Sequence, residues 1–179
     1  MTDSDDIGAP NVMIFNTPEN YATGLKEYNF DVINFANNHA FDQDKEGLFS
    51  TLEYLKNENL SMVGAGKTLK DAWQPAIIKK NGIKICFIGA SYSSINDNGT
   101  ARNDYVARLD QIEMMRDAVV EAKKLCDFTV VSMHAGIEYT RNPTSMQRDF
   151  AHAAIDAGAD FIIGAHPHWT QTIERYCVG

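Results

Sequence analysis

The sequence predicts an α/β fold with a mixed sheet. Strand-like apolar runs alternate with amphipathic helical segments, the pattern of layered α/β domains. One hairpin, turning at Asn81-Gly82, interrupts that alternation. Four of the five histidines fall in three short clusters, each directly after a buried-looking β-run. Strands of such a sheet lie side by side, so groups at their C-terminal ends meet on one edge, where these folds place their sites.

Residues 1–17 show no strong period and are expected to be irregular. Thr17-Pro18-Glu19 reads as a helix start, a capping hydroxyl followed by Pro at the first helical position, with the helix running to about Asn29. A β-run follows from Asp31 to Ala36. Lys45 to Asn59 is amphipathic, with Leu48, Leu52 and Leu55 on one face. Ser61 to Gly64 reads as a short strand, and Thr68 opens a helical turn with Asp71 placed to bond back to it. Ala76–Ile78 and Ile83–Ile88 flank Asn81-Gly82, which accepts the two positive φ angles of a type I′ turn.

Tyr92 to Tyr105 is polar and Gly/Asn-rich, an expected exposed loop able to reach over a site. Asp110 with Glu113 resembles a capping box, followed at helical spacing by Ile112, Met115, Val119 and Ala122. Phe128 to Met133 is the next strand. Thr144 with Gln147 caps a further helix that ends near Gly158. A strand at 161–163 and a strand-like stretch from Thr170 to Val178 complete the chain.

At 179 residues one domain is the default. A net charge of -8 argues against binding through nucleic-acid phosphates, which needs clustered Lys and Arg. No segment approaches the ~18 apolar residues of a membrane span, and the acidic stretch from Met1 to Pro10 has no signal-peptide form. The three cysteines, Cys86, Cys126 and Cys177, form no C-x-x-C, and their odd count argues against a complete disulfide framework. Cys86 and Cys126 read as small buried hydrophobes.

The clusters carry the chemistry. In His166-Pro167-His168 the proline keeps the backbone extended, which aims the two imidazoles at one ion or, through a turn, at two adjacent ions. H-x-H alone equally describes a polar surface loop. Its place after a strand, matched by two similar clusters, favours metal. His134 ends an almost wholly apolar run, where a lone histidine is often a core residue; Glu138, four residues on, suits either a coordinating carboxylate or an outer one that orients a ligand. Asn38 and His39 are adjacent and cannot share one role on a regular strand. A turn there lets the Asn38 carbonyl bind metal while His39 faces substrate, with Asp42 holding the His39 ring as a proton donor to a leaving group. His152 sits mid-helix and reads as packing or partial exposure rather than a site residue. Gly64-Ala65-Gly66-Lys67-Thr68 imitates the end of a P-loop, but Ser61 stands where its first glycine belongs.

Ala36-Asn37-Asn38-His39-Ala40-Phe41-Asp42, Val63-Gly64-Ala65-Gly66, His134-Ala135-Gly136-Ile137-Glu138-Tyr139 and Gly164-Ala165-His166-Pro167-His168 with Gln171-Thr172-Ile173-Glu174 resemble, in order, the CapA-type capsule biosynthesis (poly-γ-glutamate synthesis) proteins. That family is similar to the calcineurin-like metallophosphoesterases. The resemblance implies a sandwich of mixed β-sheets flanked by helices, with a site for two divalent ions (Mn, Fe or Zn) on the strand-end loops. It makes Asn38, His134, His166 and His168 metal ligands and His39 the catalytic histidine. Ala40 stands where many phosphoesterases have an acid, and Asp42 is expected to supply that group. The expected partners are a capsule polymer or a phosphate-containing small substrate, and a capsule synthesis or export complex at the membrane; full-length family members are often cell-surface or membrane-associated. The family's opening Gly-Asp strand has no counterpart before Asp31, so the chain reads as an internal piece, incomplete at both ends and a poor hydrolase by itself. The rival expectation is a non-catalytic assembly component with a relic metal site.

Overall fold

The computed structural model describes residues 14–92 and 104–177. Helix α1 covers Asn20–Glu27, starting later than Thr17-Pro18 predicts: the Pro18 carbonyl lies ahead of the helix and accepts the Tyr21 N–H at 3.2 Å, and Glu19 takes the cap position without a side-chain bond. Strand β1, Val32–Asn34, pairs in parallel with β2, Ser61–Val63, and helix α2, Asp44–Asn57, is the crossover between them. Helices α1 and α2 end alike. Asn29 (φ 61°) and Asn59 (φ 54°) adopt the left-handed conformation, and the next N–H returns to Leu25 and Leu55 respectively. Asparagine tolerates that backbone where most residues do not.

Thr68 caps the short helix α3, Leu69–Ala72, so the P-loop imitation is a turn into four helical residues. The hairpin joins β3, Ala76–Lys80, to β4, Ile83–Ser91, through Asn81 (φ 53°) and Gly82 (φ 84°). Helix α4 (Ile112–Leu125), β5 (Phe128–His134), α5 (Ser145–Asp156) and β6 (Phe161–Ala165) follow. The second sheet has the order β3-β4-β5-β6, antiparallel at its first pair and parallel after it. The fold is α/β with mixed sheets, as predicted. Its parallel strands end flush: Ser91 stands beside His134, and His134 beside Ala165.

The main core lies between that sheet and helices α4 and α5, with Ile88, Met115, Val119, Val131 and Phe150 fully buried. Asn34 keys the two sheets together. Its amide donates to Ser132 Oγ at 3.0 Å, and its carbonyl accepts the Ala36 N–H at 3.1 Å. Gly64 and Gly89 lie so close to this side chain that a Cβ on either would collide with it.

Three expectations are corrected. Cys86 on β4 and Cys126 after α4 form a disulfide, with Cα atoms 5.7 Å apart; residues remote in sequence are neighbours because α4 packs back on β4. Asp110 does not cap α4, because it pairs with Arg108 at 3.2 Å and Gln111 occupies the cap position without a side-chain cap bond. Thr170 to Cys177 is irregular rather than a strand. Gln171, Glu174 and Tyr176 there bond instead to loop 140–142 and to α5. The loop expected after Tyr92 falls mostly at 93–103, outside the described residues, as does most of the expected irregular start. Among the described residues no helix is long and apolar enough to cross a membrane.

Candidate metal centre

Three loops build the site, one after β1 of the two-stranded sheet and two after the flush strands β5 and β6. After β1, the Asn37 carbonyl oxygen accepts the His39 N–H at 2.8 Å, a side-chain turn that separates the directions of Asn38 and His39. Asn38 is buried, and its Oδ1 lies 2.9 Å from His134 Nε2, a distance at which the imidazole N–H donates to the amide. His39 Nδ1 stands 2.8 Å from Asp42 Oδ2, which also accepts the Phe15 N–H at 2.8 Å; the Phe15 ring packs edge-on to His39 at 4.5 Å. Asp42 is thus a buried carboxylate that fixes the His39 ring through Nδ1.

His134 and His166 have ring centroids 4.9 Å apart, and His166 and His168 6.1 Å. Glu138, His166 and His168 each offer a ligand atom within 4.8 Å of the others. Of the two roles the sequence offers Glu138, this proximity suits the coordinating one. The loops are held in uncommon conformations: His166 (φ 94°), His168 (φ 57°) and Tyr139 (φ 58°) are all left-handed without being glycine. The Tyr139 N–H to Pro167 carbonyl bond, 2.7 Å, ties the second loop to the third.

Electrostatics favour neutral imidazoles here. Burial above all, then the neighbouring His166, His39 and His168, push His134 down to about 4. Burial also lowers His166, against the opposing pull of Glu138. A neutral ring near pH 7 keeps the lone pair that a metal requires. Two imidazoles and a carboxylate, with an amide and a third imidazole beside them, form an N/O donor set of the kind that holds a divalent ion. The residues present therefore fit a divalent ion.

Asn38 from the loop after β1 reaches His134 from the four-stranded sheet, Glu138, His166 and His168 gather beside them, and the His39–Asp42 pair stands in the same loop as Asn38. His152 takes no part in the cluster; it bonds Glu174 at 3.0 Å and stacks on Tyr176 at 4.0 Å. Tyr92 was missed: its hydroxyl is 2.8 Å from His166 Nε2. The signal was the one that marked the histidines, a polar residue directly after a buried β-run.

Residues 1–178 match the family described as bacterial capsule synthesis protein PGA_cap. The chain belongs to that family. Over 155 residues it is 40% identical to the PGA biosynthesis protein CapA of Bacillus subtilis, covering 85% of this chain and 40% of that protein. It is 32% identical over 168 residues to the capsule biosynthesis protein CapA of Bacillus anthracis, covering 90% of this chain and again 40% of the relative. This PGA_cap chain thus spans about 40% of the length of these curated relatives. A probable 5'-nucleotidase of Treponema pallidum is 32% identical over 106 residues, 56% of this chain and 18% of that protein. That likeness agrees with a metallophosphoesterase-like fold.

Proposed function

We propose that this chain carries the metal-dependent hydrolytic centre of a capsule-polymer biosynthesis protein, acting in the full-length form on a phosphate ester or related bond. The carrying observation is the convergence of Asn38 from one sheet with His134, His166, His168 and Glu138 from the other, beside the His39–Asp42 pair. A bound divalent ion there would lower the pKa of water and polarise the bond under attack. Asn38 and His134 hold one side of the cluster, and Glu138, His166 and His168 the other. His39, its Nδ1 engaged by Asp42, presents Nε2 to protonate the leaving oxygen.

A second reading is a binding or assembly component, attached to the capsule synthesis and export machinery at the membrane, that keeps a metal site without turnover. It draws on the single carboxylate, Glu138, in the group of ligand atoms found among the described residues, since two dications need more negative charge than one carboxylate carries. Under either reading the Cys86–Cys126 disulfide favours work in an oxidising compartment, outside the cytosol.

Metal content after dialysis and hydrolysis of a generic phosphodiester, both on a full-length form, separate the readings. Hydrolysis predicts that His166→Ala loses metal and activity together. His39→Ala should keep metal and lose about 100-fold or more in turnover, the share of general acid catalysis. Bound metal with no turnover on any phosphodiester selects the assembly reading, and absence of metal from the intact protein overturns both.

A further inference from the structure

The loop that carries Glu138 continues through Tyr139 and Thr140 to Arg141, whose guanidinium lies over the Trp169 ring at 4.5 Å from its centroid. Trp169 directly follows His168. Arg141 is three residues beyond Glu138, so the pair stands within about 10 Å of chain reach of the cluster. Among the described residues no carboxylate engages this guanidinium, although acidic residues outnumber basic ones 24 to 16. Both partners are exposed.

The stacked pair sits on a braced platform. Gln171, two residues after Trp169, donates to the carbonyls of Thr140 at 3.1 Å and Asn142 at 3.3 Å, the residues on either side of Arg141. Gln147, buried in the α5 cap, donates to Gln171 Oε1 at 3.0 Å and accepts the Thr144 N–H at 2.9 Å. Trp169 also forms part of the wall of a cleft of about 890 Å³ that His166 and His168 line. A guanidinium laid flat on an indole keeps its N–H edges free, and that planar fork matches an oxyanion in two-point contact.

The geometry points to Arg141, oriented by Trp169, as a subsite for an oxyanion of the molecule that enters the cleft. This rests on the reading of the cluster as a substrate site and names its neighbour. Two sources share the chemistry: the side-chain carboxylate of an acidic polyamide chain, and a phosphate group. In a chain of net charge -8, a braced cation beside the cluster offsets the repulsion that an anionic ligand meets.

The chain has two tryptophans, and Trp73 is buried, so Trp169 fluorescence reports the subsite. A short γ-linked glutamate oligomer and inorganic phosphate are titrated separately, with calorimetry in parallel, into protein with Mn²⁺ and into protein treated with chelator. Arg141→Ala should weaken binding of the preferred probe by about tenfold or more, and Arg141→Lys, which keeps charge but not the fork, should fall between. Trp169→Phe should abolish the fluorescence change. Mn²⁺ affinity of Arg141→Ala should equal that of the parent. Arg141-dependent binding of the oligomer or of phosphate supports the subsite and identifies its source. Equal binding by Arg141→Ala, or no binding of either probe, overturns it. Arg141-dependent binding without any Mn²⁺ uptake would sink the hydrolase reading and leave the subsite standing.

Discussion

Reducing the Cys86–Cys126 bridge should be the single most destabilising chemical change available to this chain. The two cysteines are 40 residues apart in sequence, and the crosslink restricts the unfolded ensemble by closing that loop. Loop-closure entropy for that separation corresponds to about 4 kcal/mol at room temperature. Whole-domain stabilities are roughly 5–15 kcal/mol, so the bridge is a large fraction of the total. For a chain of this size each kcal/mol moves the midpoint by roughly 2–4 °C, which sets an expected loss of about 8–16 °C. The assay is thermal unfolding with and without a reductant, alongside counting of thiols that react after unfolding. Cys177, exposed and unbridged, should react in both samples. A Cys86→Ala/Cys126→Ala variant should match the reduced parent, apart from a small packing loss. An unchanged midpoint after complete reduction would refute the loop argument, and three reactive thiols in unreduced protein from an oxidising compartment would refute the bridge itself.

Two further perturbations address the site and its support. His134 sits near 4 when folded against an ordinary 6.5, so between those pH values the unfolded chain binds a proton that the folded chain refuses. Stability therefore rises with pH across that window, and the metal-free protein should lose up to about 3 kcal/mol on going from neutral pH to about 4. Urea midpoints in chelator across that range test this, and His134→Asn should flatten the profile; an identical profile in the variant would contradict it. Gly89→Ala places a methyl against Asn34 Oδ1 and 3.1 Å from the Gly64 Cα, so it should cost about 2 kcal/mol in denaturant unfolding. Adding Asn34→Ala should recover part of that loss, and strictly additive losses would deny the contact.

Features carried by neighbouring residues were legible in the sequence. Asn81-Gly82 announced its turn because the required φ angles belong to those two residue types. Thr144 and Gln147 form the reciprocal cap they were read to form. The histidine clusters were visible because strand periodicity and polar residue type change within a few positions. Asp110 and Glu113 had the same local form as Thr144 and Gln147, yet Arg108 captured Asp110, a competition that spacing does not reveal. The disulfide, the Tyr92–His166 bond and the Gln147–Gln171 brace join residues separated by 40, 74 and 24 positions, and only tertiary packing brings them together. Thr170 to Val178 reads as strand-like, but local residue type cannot supply a pairing partner.

The flush ending of β4, β5 and β6 has a consequence for what can be inserted or deleted. One residue added within β5 ahead of His134 would turn its imidazole to the opposite face of the sheet. Two would restore the face but carry it about 7 Å beyond Ser91 and Ala165. Neither change alters a single side chain of the cluster, yet both dismantle it. Strand length is therefore held more tightly than strand composition, and apolar residues within 128–133 can be exchanged for one another far more freely than counted. A scan of single-residue insertions within 128–133 should abolish metal binding at every position, while exchanges among the apolar residues there leave it in place.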